Sequence, residues 1–165
     1  MNYICKIATN DEIAKKFDYE INKATDDKAN WIKWKNDFLD RNTKGYSRTY
    51  MGILDGEIIS ECTAGFNPIV INNETDLVDD KTAYLYAFRT NEEYQGKGYF
   101  SKLIRFMLDD LKQSGYERVT LGVEPEEVKN KEIYFKYGFT NHIRDSIETY
   151  PDGSQIKVEY YSKDL

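Results

Sequence analysis

The stretch Tyr84 to Ser114, YLYAFRTNEEYQGKGYFSKLIRFMLDDLKQS, decides how the rest of the chain is arranged. It opens as a strand in which Tyr84, Tyr86 and Phe88 point one way and Leu85, Ala87 and Arg89 the other. A polar connector, Thr90 to Tyr94, leads into Gln95-Gly96-Lys97-Gly98, and a helix leaves that turn at once. Phe100, Leu103, Ile104, Met107, Leu108 and Leu111 recur at the i, i+3, i+4, i+7 spacing of one helical face. Gly115 ends the pattern where a left-handed cap residue is wanted.

A helix start carries unpaired N–H groups and the positive end of the macrodipole. Glycines let the backbone bend and approach a ligand closely. With the cation of Lys97 between them, Gly96 and Gly98 make this turn a candidate phosphate or diphosphate site. Three glycine-rich designs compete. No GxxxxGK[ST] loop is present. The dinucleotide fingerprint GxGxxG needs a third glycine where Ser101 stands, and a tighter turn from the strand. Glu124, after the next strand, sits where a ribose-binding acid would, but only about forty residues follow it, too few for a second half of that fold.

The third design fits. Gln95-Gly96-Lys97-Gly98 resembles the Q/R-x-x-G-x-G/A acyl-CoA loop of the GNAT superfamily of N-acetyltransferases, with Phe100 at the final Gly/Ala position. Downstream, Ile133-Tyr134-Phe135-Lys136-Tyr137-Gly138-Phe139 is similar to the family's LYEKxGF segment. The resemblance implies an α/β (α+β) fold: a mixed, mostly antiparallel sheet of about six or seven strands, flanked by about four helices, with a central parallel strand pair. It implies acetyl-CoA as co-substrate, without a metal, and a small-molecule or peptide amine as acceptor. Main-chain groups from Gln95, Gly96, Lys97, Gly98, Tyr99, Phe100 and Ser101 would hold the diphosphate, and Phe88, Arg89 and Thr90 would face the pantetheine arm. Tyr134 occupies the position of the tyrosine that protonates the departing thiolate. The family's cofactor-binding asparagine, seven residues before that tyrosine, is Glu127 here, leaving nearby Asn130 as the candidate. Trp31, Trp34 and Tyr84 border the implied acceptor pocket, and family members often form homodimers.

The general base stays open. The strand Tyr84–Arg89 has no carboxylate where relatives place a glutamate, so Glu61, Glu124 and His142 are the candidates, beside direct attack by a free amine or a water chain. The missing carboxylate and Phe100 favour a rival reading, a non-catalytic acyl-CoA sensor. A nucleotide-binding oxidoreductase half-domain is a third.

Length and composition bound these readings. The chain has 165 residues, the size of a single domain spanning 1–165 with a core of its own. Lys and Arg number 23 against 29 Asp and Glu, for a net charge of −6, which argues against nucleic-acid binding and suits a cationic substrate. Cys5 and Cys62 make neither a disulfide framework nor a metal spacing, and His142 is the one histidine. No apolar run approaches about 18 residues and no leader pattern opens the chain, so a cytoplasmic protein is expected.

Elsewhere, Tyr3–Ala8 reads as a strand and Thr9-x-x-Glu12 as a capping box ahead of a stripe at Ile13, Phe17 and Ile21. A second helix starts near Thr25, and a polar loop covers Arg41–Tyr46. Arg48–Leu54 and Glu57–Phe66 form a hairpin on Asp55-Gly56. Asn67–Lys81 reads as a mobile loop, Arg118–Val123 as a strand parallel to the first, Glu126–Tyr137 as a short helix, and the last segment as a hairpin around Pro151-Asp152-Gly153.

Overall fold

The computed structural model describes residues 1–165. In chain order the elements are β1 (Tyr3–Ile7), α1 (Asn10–Lys23), α2 (Lys28–Lys44), β2 (Ser47–Leu54), β3 (Glu57–Gly65), β4 (Thr82–Thr90), α3 (Tyr99–Gln113), β5 (Arg118–Val123), α4 (Val128–Lys136), β6 (Asn141–Thr149) and β7 (Gln155–Asp164). All seven strands join one sheet in the order β1-β2-β3-β4-β5-β7-β6. Only β4 and β5 run parallel, joined by the α3 crossover, as a right-handed βαβ connection requires.

Local signals account for most boundaries. The Thr9 hydroxyl accepts from the Glu12 N–H at 3.2 Å and the Glu12 carboxylate accepts from the Thr9 N–H at 2.9 Å, which starts α1 with a reciprocal cap. Asp55 and Gly56 take φ of 47° and 85°, the left-handed pair that a two-residue turn between β2 and β3 needs. The apolar stripe of α3 buries Leu103, Ile104, Met107 and Leu111 completely, against Leu85, Val119 and Leu121 of the central strands. Each such side chain contributes roughly 1.5–3 kcal/mol. On the opposite face, α1 and α2 pack Ile13, Phe17 and Phe38 on Met51.

Three expectations need correction. Helix α2 continues through Lys44, where a loop from Arg41 was expected, because Gly45 at φ 76° supplies its left-handed cap. Arg41, partly buried, and Lys44, exposed, are the cations of a last turn whose dipole favours them. The segment from Asn67 to Lys81 is an irregular connection, but not a polar one lying free of the core: it contains a 3-10 turn at Pro68–Ile71 and buries Val70, Ile71, Leu77 and Val78 against Tyr84, Val158 and Tyr160. The third correction is a bulge in β4. Glu61 pairs with Arg89 and Thr63 with Tyr86, so Ala87 and Phe88 together oppose Cys62.

Candidate active site

That bulge reorganises the strand. Ala87 takes φ of 58°, and the alternation of side chains shifts by one residue beyond it. Phe88 therefore joins Leu85 on the α3 side, 5.3 Å from the Tyr134 ring and 5.8 Å from Phe100. Arg89 joins Tyr86 on the α1–α2 side, its guanidinium 4.8 Å from the Trp31 ring and 5.5 Å from Phe17. The parallel ladder runs from Thr82–Arg118 to Leu85–Leu121 and stops there. Beyond Leu85 the edge of β4 that faces β5 has no partner strand, so main-chain groups from Tyr86 to Thr90 open onto the gap.

The glycine loop lies at the end of that gap. Gly98 caps α3 at φ 86° with no side-chain hydrogen bond, and Gly96 has φ 73°. The first intrahelical bond is from Lys102 N–H to the Gly98 carbonyl at 3.3 Å. Six successive amides, Gly96 to Ser101, donate to no group of the chain. Such a run at a helix N-terminus is an anion site. The Gln95 side chain donates to the Thr90 carbonyl at 2.9 Å and ties the loop to the strand end. Phe100 sits half-buried, edge-on to Phe88, so the bulky residue at the last loop position serves as cleft floor. The hydroxyls of Tyr137 and Ser101 are hydrogen-bonded across the cleft.

Helix α4 forms the far wall. Tyr134 is 8% exposed and its hydroxyl makes no hydrogen bond within the chain. Burial pushes its proton affinity well above that of a free phenol, with smaller contributions from Glu127 and Cys62. Asn130 lines the same wall and donates to the Glu127 carboxylate at 3.0 Å. Together the loop, the strand end, α4 and Trp31 enclose a cleft of about 960 Å³, the size of a cofactor site.

A sequence profile described as the acetyltransferase (GNAT) family matches residues 8–139. The chain belongs to that GNAT family. Its fold is that of many solved GNAT structures. It superposes on the ribosomal-protein-S18-alanine N-acetyltransferase of Escherichia coli with a TM-score of 0.72 at 14% identity, covering 99% of this chain and 94% of that one. The IAA acetyltransferase of Bacillus cereus gives 0.71 at 16% identity, covering 99% and 100%. An N-acetyltransferase of Staphylococcus aureus gives 0.70 at 15%, covering 99% of each chain. No curated protein matches the chain significantly in sequence.

Within this GNAT chain the expected site residues separate into two groups. Phe88, Arg89, Thr90, Gln95, Gly96, Gly98, Tyr99, Phe100, Ser101, Asn130, Tyr134 and Trp31 line one cleft. Lys97 lies on the loop but turns its ammonium towards the Tyr94 ring, 5.8 Å away. Tyr84 is elsewhere: it is buried in the second core cluster, stacked on Tyr86 at 5.6 Å. Trp34 is also outside the cleft, edge-on to Trp31 and to Tyr150.

None of the three candidate bases faces the cleft. Glu61 is 1% exposed and held by Arg89 at 2.8 Å, with Lys16 at 3.9 Å, because the bulge turns Arg89 back over it. Glu124 follows β5 and lies outside the cleft, where burial and the Glu127 carboxylate raise its proton affinity. His142 is exposed on β6 and pairs with Asp145 at 2.7 Å. Lys16 and Asn91 were missed. The one available signal was Lys16 itself, a cation between Ile13 and Phe17 on the apolar stripe of α1. No helix is long and apolar enough to cross a membrane.

Proposed function

We propose that this GNAT-family chain transfers an acetyl group from acetyl-CoA to a primary amine of a small molecule or peptide. One observation carries the reading: six unpartnered amides at the start of α3 share a cleft with the free edge of β4 and with the Tyr134 hydroxyl. Amides of Gly96–Ser101 would take the diphosphate, with Asn130 at the cleft wall. Main-chain groups of Phe88–Thr90 would align the pantetheine arm, which supplies proximity. The amine enters from the Trp31 side and attacks the thioester carbonyl as a free base. The C–S bond breaks, the thiolate takes a proton from Tyr134, and water carries the proton of the new amide nitrogen back to the Tyr134 phenolate.

Tyr134 holds its proton across the physiological range, as a free phenol does, and burial raises its proton affinity further, so its support for this role is its place on the cleft wall beside Phe88. A second reading, binding of acyl-CoA without turnover, draws support from Glu61, whose carboxylate is committed to Arg89 and Lys16. Calorimetry with acetyl-CoA, followed by thiol release over a panel of amines, tests both. Binding with turnover supports transfer, binding without turnover for any amine supports the second reading, and no binding removes both.

A further inference from the structure

The least expected feature of the chain is a group of charges packed against the cleft, with Arg89 and Asn91 also on the cleft lining. Lys16, from the apolar face of α1, has a side chain 2% exposed and donates to Glu20 at 2.9 Å and to the Asn91 side-chain oxygen Oδ1 at 2.8 Å. Its ammonium also stands 3.9 Å from Glu61 Oε2. Glu61, on β3, accepts from Arg89 at 2.8 Å, and Arg89 lies against Trp31 and Phe17. The Asn91 main-chain N–H donates to the Ile59 carbonyl at 2.8 Å. Three elements, α1, β3 and the end of β4, thus meet on charges in a region that is otherwise apolar.

Such a group adds little to stability. Removing two cations and two carboxylates from water costs about what their attraction returns, and apolar side chains of equal volume often serve as well. Here the balance is worse than usual, because the Arg89 Nε–H and Glu61 Oε2 are buried without a hydrogen-bond partner. What the group does supply is direction. Ion pairs and hydrogen bonds fix an orientation that interchangeable apolar contacts do not.

The residues it grips flank the one stretch of β4 that the sheet leaves unsupported. Beyond the bulge at Ala87 no β5 ladder holds the strand, and only β3 pairs with it on the other side. Arg89 and Asn91 bracket Thr90, whose carbonyl in turn receives the Gln95 side chain. We infer that Lys16, Glu61, Arg89 and Asn91 are positioning residues that preset the free edge Phe88–Thr90 for the pantetheine arm of the bound thioester. This rests on the acetyl-CoA reading above and assigns the cluster no contact with the reacting atoms.

Two variants test it. Arg89→Met leaves Lys16 and Glu61 as a pair. Lys16→Met/Glu61→Leu/Arg89→Met replaces three of the four charged side chains at similar volume and leaves the more exposed Glu20. Each is titrated with coenzyme A and with adenosine 3′,5′-bisphosphate, which lacks the pantetheine arm, and its Tm is recorded. The expected result is a Tm no lower than the parent in the triple variant, a loss of about tenfold in coenzyme A affinity in both variants, and nucleotide affinity within about twofold of the parent. Parent-like coenzyme A affinity in a folded variant would overturn the inference, and so would equal loss of both ligands. Should the parent itself bind neither ligand, the acetyl-CoA reading falls and not the role of the cluster alone.

Discussion

A phenol donates a proton usefully only while it keeps that proton until the leaving group needs it. Tyr134 meets that condition as any phenol does near neutral pH, and its 8% exposed ring, packed on Phe88, is fixed on the cleft wall. Tyr134→Phe should therefore lower kcat by roughly 10²-fold while leaving the acetyl-CoA Kd nearly unchanged. Steady-state kinetics beside calorimetry checks this, and equal kcat in the two proteins would remove the role. A second residue carries a pH signature. Glu148 on β6 is half-buried, accepts from the Tyr160 hydroxyl at 3.0 Å, and burial raises its pKa. A carboxyl whose folded-state pKa is raised supports the fold fully below its unfolded value, about 4.3, and loses that support as pH rises through the folded value. Glu148→Gln keeps an acceptor for Tyr160 and removes the charge. Its Tm should exceed the parent's by about 2–4 °C at pH 7, with the difference shrinking towards zero by about pH 4. A constant difference across that range would show that ionisation is not the cause.

At the scale of elements, the bulge in β4 does most to shape the site. It turns Phe88 towards α3 and Arg89 towards α1, and it coincides with the end of the β4–β5 ladder. Ala87 pays for this with a left-handed φ of 58°, which a β-branched side chain tolerates poorly. Ala87→Val should cost about 2 kcal/mol of unfolding free energy, measured by urea titration, and should weaken acetyl-CoA binding. Unchanged stability would mean that the strand adopts another register there at no expense. Simple period-two alternation put Phe88 with Tyr84 and Tyr86, and the residue at the bulge gave no warning because it is not glycine. By contrast, the turn Gln95–Gly98 and the stripe of α3 were legible from spacing alone. Both are local features, set by neighbours within a few positions.

Across the whole molecule the same division holds. The seven-stranded mixed sheet, its four helices and the parallel central pair follow from short-range signals and from the family resemblance. Contacts between distant segments were not legible. Glu61 looked available for catalysis until Arg89, 28 positions later, was seen to close over it. Asn91 gained its meaning from Lys16, 75 positions earlier. Tyr84 looked like a cleft residue until the apolar residues of the Asn67–Lys81 segment were found packed on it. Each of these turns on which elements the sheet order places side by side, a property of the assembled chain and not of any window of it.

The central claim is that main-chain amides at the start of α3 grip the diphosphate of a CoA thioester. Amide chemical shifts of the ¹⁵N-labelled protein, followed during titration with acetyl-CoA, test it directly. The account predicts saturable binding with the largest shifts at Gly96–Ser101 and smaller ones at Phe88–Thr90. Absence of binding, or shifts centred away from the Gln95–Ser101 turn, would contradict it.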